Sequence, residues 1–373
     1  MKDRKKVTLF DIGFTIYFLS LFLDDLALDN TGIILKMFRY LSYLILIIYV
    51  VKLNKTQRND LMRCILFMTF GLFVALFTHD IYWCVVSLLV LSARNINSRR
   101  VVELSFCILL ICTAITVLLA LVGILPIEAN EIVRRGEIVI RYGMGFYHSN
   151  VLPMAIFSLL IYRLILVGEK IKVIELLGWN ALSLVVYQVC KSRNGLYATI
   201  ICCGLYIIYY SFGKKMRKFL LTMSKSSLCI VIIFSFLMVA VQGLSLRPVW
   251  LINDFFTGRF AIAYHQVLEN GIYFISLVSK NEYALTARVL DNGYLYTALR
   301  YGVLFLVFYL VVQHNILKKY SSNGIIAIVM IALVFTNMVD NDLYSYGFLP
   351  IILLAFSKRP IIYRNSNSKK QLA

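Results

Sequence analysis

The chain has 373 residues, of which 60% are hydrophobic and only 15% are charged, and its mean hydropathy is +0.79. A soluble domain of this length needs a much larger polar surface, so the composition excludes a water-soluble globular protein. The formal net charge is +19, but the basic residues are spread over separate short turns between apolar runs. We therefore expect the charge to reflect membrane topology, and we expect no nucleic acid partner.

Apolar runs of roughly 17–25 residues recur along the chain, and each is long enough to cross a hydrocarbon core of about 30 Å. Runs of this length are predicted to be helices, because lipid offers no hydrogen bonds to an open backbone. The sequence predicts an all-α, polytopic integral membrane protein that forms one domain over residues 1–373. About twelve membrane helices are predicted, at 7–23, 32–53, 62–78, 80–92 (short enough to be re-entrant), 101–125, 149–168, 172–190, 194–212, 226–246, 292–314, 323–338 and 342–357.

The distribution of lysine and arginine predicts the orientation of these helices. If the N-terminus lies inside, the inside connections hold most of the 38 basic residues, including those in 2–6, 214–218 and 358–370. The positive-inside rule then predicts a multi-pass protein of the plasma (inner) membrane with both termini in the cytoplasm. The first apolar run ends in Asp24-Asp25 and not in small residues, so we expect a retained helix and not a cleaved signal peptide.

Two outer loops, 126–147 and 247–290, are the longest connections, and we expect them to cap an active site. The second loop predicts a surface helix that begins at Thr257 as N-cap and stops at Asn270-Gly271. This helix mixes apolar with polar residues, and Arg259 and Glu269 can share its polar face. A helix of this kind is typical of a membrane interface.

The outer segments use arginine in preference to lysine. The guanidinium fork suits bidentate binding of phosphate or carboxylate, so a lipid pyrophosphate is one expected ligand. Pairing with lipid headgroups or with local acids such as Glu128, Glu131 and Glu137 is the alternative. Arg300 falls inside the predicted tenth span, where a charged residue indicates a partner or a cavity. The outer arginines are Arg134, Arg135, Arg141, Arg193, Arg247, Arg259 and Arg288.

Four short segments on the outer side carry the candidate chemistry. In 145–150 (GFYHSN), His148 could carry a proton or contact a pyrophosphate, or Ser149 or Asn150 could simply cap a helix. In 191–195 (KSRNG), Asn194-Gly195 predicts a tight turn with positive φ.

The other two segments begin helices. In 257–260 (TGRF), an arginine at a helix N-terminus interacts unfavourably with the helix dipole, so its position there indicates a bound anion. In 291–295 (DNGYL), Asp291 is either an N-cap or a candidate base for an acceptor hydroxyl, as His148 and Glu269 also are.

Taken in order, the segments 145–150, 192–195, 257–259 and 291–295, with Gly302, resemble the Wzy-type polysaccharide polymerases of the O-antigen ligase/polymerase superfamily. The resemblance implies a metal-independent, GT-C-like glycosyltransferase that needs no cofactor. Such an enzyme moves a growing glycan from undecaprenyl pyrophosphate to a lipid-linked repeat unit at the outer face of the membrane. Flippase and chain-length regulator proteins are its implied partners, beside membrane lipid.

The resemblance also implies roles for individual residues. Ligase members have a histidine where this chain has Asp291, which favours a polymerase over a ligase. Arg193 and Arg259 match the functional arginines of the family. With the candidate bases Asp291 and His148, they are the predicted catalytic residues. The predicted substrate-binding residues are Arg141, Asn150, Arg288, Asn292 and Arg300, and no metal ligand is predicted.

Three alternatives remain open. A lipid-linked oligosaccharide flippase or another transporter usually has two related halves and broken helices, and no halves are visible in the sequence. A metal-dependent GT-C enzyme would use acidic loops such as Asp24-Asp25 and Asp340-Asn341-Asp342, but these connections are short for a donor-binding loop. A purely structural membrane subunit would leave the outer arginines without an explanation.

Overall fold

The structure is a computed structural model. It describes residues 7–28, 32–53, 68–77, 81–134, 137–244, 246–256, 258–276, 290–321, 323–341, 345 and 347–358. In these ranges the chain forms fourteen helices and one β-hairpin. The helices are α1 (Leu9–Asp24), α2 (Gly32–Leu53), α3 (Met68–Phe77), α4 (Tyr82–Ala93), α5 (Ser98–Leu121), α6 (Val151–Val167), α7 (Val173–Cys190), α8 (Arg193–Ala240), α9 (Arg247–Phe255), α10 (Arg259–Asn270), α11 (Gly293–Arg300), α12 (Val303–Lys319), α13 (Gly324–Val339) and α14 (Leu349–Phe356).

Six helical stretches of the described chain are long and apolar enough to cross a membrane. They are Gly32–Lys52, Ser98–Leu121, Val151–Lys170, Val173–Cys190, Arg193–Gly213 and Lys215–Leu244. Several of these helices expose large apolar side chains, such as Ile111, Leu118 and Ile233, on surfaces that would be unfavourable in water. The chain is therefore an α-helical membrane protein, as the composition predicts.

The centre of the bundle is formed by α6 and α13. Along α6, 78% of the most apolar window is buried inside the protein, and nearly every residue of α13 is buried. α13 packs chiefly against α8, and α8 in turn approaches α6 closely at Gly195. A Cβ atom on Gly195 would lie 2.6 Å from the backbone of Pro153, so a larger residue there would force the two helices apart.

Two glycines interrupt long apolar segments. Gly213 (φ 52°) divides α8 into the two candidate spans given above. Gly302 (φ 100°) separates α11 from α12, so the prediction of one continuous tenth span at 292–314 was wrong. The physical reason is the returning outer loop, whose Ser276 N–H donates to the Tyr301 carbonyl over 2.9 Å. A Cβ on Gly302 would lie 2.6 Å from this loop backbone.

The loop at 126–147, which the sequence predicts to be outer, contains a β-hairpin that was not predicted. Strands β1 (Ala129–Arg134) and β2 (Glu137–Tyr142) are antiparallel, and Arg134 is the partner of Glu137 in the ladder. The signal was available, because β-branched residues occur in both strands and a glycine lies in the short connection. The strands matter for function because β2 carries Arg141 into the bundle, where it is only 8% exposed.

The second outer loop contains two helices where one was predicted. α10 (Arg259–Asn270) is the predicted surface helix, but its N-cap position is Gly258, in the left-handed region (φ 81°), and Thr257 lies outside the described residues. α9 (Arg247–Phe255) precedes it and exposes Trp250, Leu251 and Phe255. Exposed aromatic side chains on a short amphipathic helix are typical of a membrane interface.

Candidate functional site

The start of α6 brings His148 and Asn150 together with Arg141. Asn150 occupies the N-cap position of α6, but its side chain makes no capping bond. Its Oδ1 accepts a hydrogen bond from Arg141 Nη2, while its backbone N–H donates to His148 Nδ1 over 3.1 Å. Arg141 Nε also donates to the carbonyl of Cys190, at the end of α7, over 3.3 Å. The β-hairpin is thus tied to α6 and α7 through one buried guanidinium.

The start of α8 places Arg193 and Asn194. The predicted turn at Asn194-Gly195 was wrong: the left-handed residue is Lys191 (φ 49°), and α8 already begins at Arg193. Both Asn194 and Gly195 are helical, since the reversal is completed before them. Asn194 Nδ2 donates to the Asp340 carboxylate over 2.8 Å and to the Val339 carbonyl over 3.3 Å. The start of α8 is therefore bonded to the end of α13.

The starts of α10 and α11 are joined by an ion pair. Arg259 Nε lies 3.1 Å from Asp291 Oδ2. Asp291 does not cap α11. Asn292 does so, because its Oδ1 accepts the backbone N–H groups of Tyr294 and Leu295. Its Nδ2 donates to Ser235 Oγ over 3.1 Å, and the residue is 1% exposed. Both polar atoms of the Asn292 side chain therefore already have partners within the protein, which speaks against its predicted substrate-binding role.

The Asp340 carboxyl group connects the start of α8 with the start of α6. Its Oδ2 accepts from Asn194 and, over 3.5 Å, from Asn150 Nδ2. Burial and the neighbouring Asp291 raise the pKa of Asp340, against the opposing effects of Asn194, Arg259 and the Asn341 backbone N–H. Desolvation of the charged form is the larger cause. We call this group the polar cluster; it consists of Arg141, His148, Asn150, Asn194, Arg259, Asp291 and Asp340.

His148 is a neutral member of the polar cluster. Burial and the nearby Arg141 lower the pKa of His148, while Asp291 opposes the shift. Since Nδ1 accepts the N–H of Asn150, the ring proton belongs on Nε2. His148 is therefore arranged as a hydrogen-bond donor toward its surroundings, and the geometry favours it less as a base.

A cavity of about 720 Å³ borders the polar cluster. Its polar lining residues are Arg193, Asn194, Asp254, Arg259 and Thr336. None of the described carboxylates lies within ion-pair distance of Arg193. The remaining wall is mostly apolar. It is formed by Tyr197, Ala198 and Ile201 of α8, by Phe255 of α9 with the following Phe256, and by Phe335, Met338 and Val339 of α13.

Several candidates from the sequence are not brought to this cavity. Arg300 ends α11, where its guanidinium lies 4.9 Å from the ring centre of Tyr301 and contacts the Tyr296 hydroxyl. Arg300 does not line the cavity, and neither do five other candidates: Arg141, His148, Asn150, Asp291 and Asn292. Asp291 adjoins the cavity through its ion pair with Arg259. Glu269 lies ten residues after Arg259 on α10, about 15 Å along the helix axis. Arg288 falls outside the described residues.

The acidic pairs of the metal-dependent alternative have other partners. Asp24 forms an ion pair with Arg39 at 2.8 Å. The carbonyl of Asp25 accepts the N–H of Tyr147 over 3.1 Å. Burial and Asp24 raise the pKa of Asp25 to about 7. Asp342 is not described, and within the described ranges no group of three or more potential metal-binding side chains is close together. Asp340 is instead held by two asparagines, which sequence reasoning did not foresee.

Comparison of the chain with protein-family models, with curated proteins and with solved structures gave no match. The class is therefore defined by the molecule itself: an α-helical membrane protein with a polar cluster beside an amphipathic cavity. Four of its sequence segments, far apart in the chain, meet at this place.

Proposed function

We propose that this chain is a membrane polysaccharide polymerase. It would transfer a growing glycan from undecaprenyl pyrophosphate to a lipid-linked repeat unit at the outer face of the membrane. The observation that carries the proposal is that Arg193 and Arg259 line the same cavity. The family resemblance implies a functional role for both arginines, although they lie in different loops of the sequence.

The two arginines of the cavity suit a pyrophosphate. Arg193 is the first residue of α8 and Arg259 is the first residue of α10. Unpaired backbone N–H groups at a helix start attract anions, and a guanidinium adds a charged, forked donor. The two guanidinium groups at one cavity supply more than one positive charge for a ligand that carries several negative charges. The shared cavity supports anion binding better than pairing with lipid headgroups.

The apolar wall of the cavity suits a polyprenyl chain. Side chains of α8 and α13 form two of its walls, and Phe255 and Phe256 form part of a third. Burying apolar surface contributes about 25 cal/mol per Å², so an isoprenoid would gain affinity along these walls while its pyrophosphate stays at the arginines. A ligand with both properties is a lipid pyrophosphate.

The reaction that we propose breaks the bond between the anomeric carbon of the donor glycan and its pyrophosphate oxygen. The oxygen of an acceptor hydroxyl forms the new bond to that carbon, and its proton passes to Asp291. The negative charge that develops on the leaving pyrophosphate is stabilised by Arg193 and Arg259, and preorganised charges of this kind contribute several kcal/mol. His148, as an Nε2–H donor, would orient one of the substrates.

The proposed topology has about twelve helices in a GT-C-like arrangement within the plasma membrane, with both termini in the cytoplasm. The polar cluster then faces outward. A cysteine introduced at Gly271 should react with an impermeant maleimide added to intact cells, and one at Lys215 should react only after the membrane is opened. The reverse labelling pattern would place the polar cluster inside and contradict the proposal.

The enzymatic proposal is tested by the lipid-linked glycans of cells in which the chain carries Arg193→Ala or Arg259→Ala. Single repeat units should accumulate at the outer leaflet, and long polymer should be lost. Arg247→Ala is the matched control, because Arg247 begins α9 and is exposed but does not line the cavity. Normal polymer in both variants would refute the proposal, and repeats trapped in the inner leaflet would indicate a flippase.

A further inference from the structure

Asp340 is a titratable residue of the polar cluster to which the proposed reaction assigns no role. It directly follows α13, and it forms no part of the cavity wall although Val339 does. Its Oδ1 accepts the backbone N–H of Asn341 over 2.9 Å, and its own carbonyl accepts the N–H of Gly293 over 3.3 Å. The carboxyl group thus lies outside the cavity wall and is held by the backbone N–H of Asn341, while the main chain of Asp340 is bonded to the start of α11.

The bonds to Asp340 connect the two sides of the polar cluster. On one side, Asn194 donates to Oδ2 and is the neighbour of Arg193 in α8. On the other side, Asn150 donates to the same oxygen and is itself bonded to Arg141. Both asparagines donate to the carboxyl group, and a carbonyl oxygen accepts such bonds whether the group is ionised or protonated. A proton on Asp340 therefore leaves this framework intact.

The charged and titratable groups around Asp340 come from every segment packed against it. Asp291 precedes α11 and raises the pKa of Asp340, while Arg259 of α10 lowers it. Arg193 stands beside Asn194 at the start of α8. His148 precedes the start of α6 and Arg141 belongs to β2. Both Arg141 and Asp291 act electrostatically on His148. The cluster thus holds two carboxylates: Asp291 is paired with Arg259, and Asp340 is bonded to Asn194, the neighbour of Arg193 in α8.

We propose that Asp340 is a positioning residue that takes up a proton from solvent when a pyrophosphate group binds at Arg193 and Arg259. The proposal rests on the anion site of the proposed function and adds a proton linkage to it. Without the proton, an anion in the cavity lies near two carboxylates: Asp291, which is paired with Arg259, and Asp340, which is held by the cavity-lining Asn194. With the proton, only Asp291 stays charged, and it remains available as the base.

The sign of the linkage follows from the charges. A bound anion disfavours the ionised form of Asp340, so the pKa of Asp340 is higher in the complex than in the free protein. Affinity is therefore greatest at low pH, falls as pH rises between these two pKa values, and levels off above the second. An asparagine at this position mimics the protonated carboxyl group, so it should hold the high affinity at every pH.

The test uses the full chain in lipid nanodiscs and farnesyl pyrophosphate as a short soluble probe. Its dissociation constant is measured across pH for the wild type, for Asp340→Asn and for Glu137→Gln, a control that removes an exposed carboxylate of the hairpin. The affinity of the wild type and of the control should fall about ten-fold across the window. Asp340→Asn should show only the pH dependence of the probe itself and should bind about ten-fold tighter at the alkaline end.

A second measurement needs no variant. Calorimetric titration of the wild type in two buffers of different ionisation enthalpy counts the protons taken up, and uptake beyond that of the probe alone supports the proposal. Equal pH profiles for the wild type and Asp340→Asn, or no uptake, overturn it and leave the anion site standing. No binding to the wild type at any pH overturns the anion site of the proposed function together with the linkage.

Discussion

The ion pair between Arg259 and Asp291 gives the sharpest prediction for a single substitution. In the resting protein Asp291 occupies a guanidinium that the proposed function assigns to the pyrophosphate. Asp291→Asn keeps the shape and removes the competing charge. We therefore expect this variant to bind farnesyl pyrophosphate more tightly than the wild type while losing its ability to form polymer.

The magnitude follows from the geometry. At the Nε–Oδ2 distance of 3.1 Å and an effective dielectric constant of about 20, the direct attraction is about 5 kcal/mol. The side chain of Asp291 is 38% exposed, so solvent screening reduces the net value to about 1 kcal/mol. Release of that competition should lower the dissociation constant about five-fold. Loss of a base should lower the rate of polymer formation about 100-fold or more.

The assay combines a binding titration in nanodiscs with gel analysis of the polymer made from lipid-linked repeats. Asp24→Asn is the matched control, because it also removes the acid of an aspartate–arginine pair, the one with Arg39 at 2.8 Å. The control should change neither quantity. Weaker binding by Asp291→Asn would refute the reasoning, since it would mean that Asp291 holds Arg259 in its binding position and does not compete for it.

Three further predictions concern packing, capping and pH. Gly195→Ala should lower stability by about 1–3 kcal/mol, because its Cβ would lie 2.6 Å from the Pro153 backbone. The measurement is thermal unfolding in detergent. The control Gly204→Ala has open space around its Cβ and should leave stability unchanged. Lys319→Met should lower stability by about 1–3 kcal/mol in the same assay, because it removes the hydrogen bond of 2.8 Å from Lys319 Nζ to the Leu354 carbonyl near the end of α14. Folding lowers the pKa of His148. Its contribution to stability should therefore be present above the unfolded pKa and lost as pH falls through the folded pKa. The measurement is a pH series of thermal unfolding, and a His148→Gln variant that keeps this acid-induced loss would contradict the assignment.

The membrane class could be predicted from the sequence because it depends on composition and local continuity. A chain with long apolar runs has few alternatives in lipid, where each backbone group must find its partner within its own helix. The start of α6 and the stop of α10 at Gly271 also follow from local residues. The helix break at Gly302 could not be predicted in this way, because it depends on a loop segment, 273–276, that returns to the same place.

The arginines of the site were identified from the sequence by their type and outer position, while their convergence was not. Arg193 and Arg259 share a cavity because α8 packs on α13 and α10 packs on α8. Nothing in the local sequence of either loop encodes that contact. Arg300 shows the reverse case: its type and position made it a candidate, and the packing of α11 placed it against Tyr296 and Tyr301.

Asp340 marks the limit of sequence reasoning most clearly. In the sequence it belongs to a short acidic turn, which a metal-dependent GT-C enzyme would use but which is short for a donor-binding loop. In the structure it binds Asn194, 146 residues away, and Asn150, 190 residues away. Hydropathy and charge act locally, so a helical membrane protein with arginine-rich loops could be predicted from the residues alone. Which polar groups share a site follows only from the fold, because that depends on the packing of helices far apart in the chain.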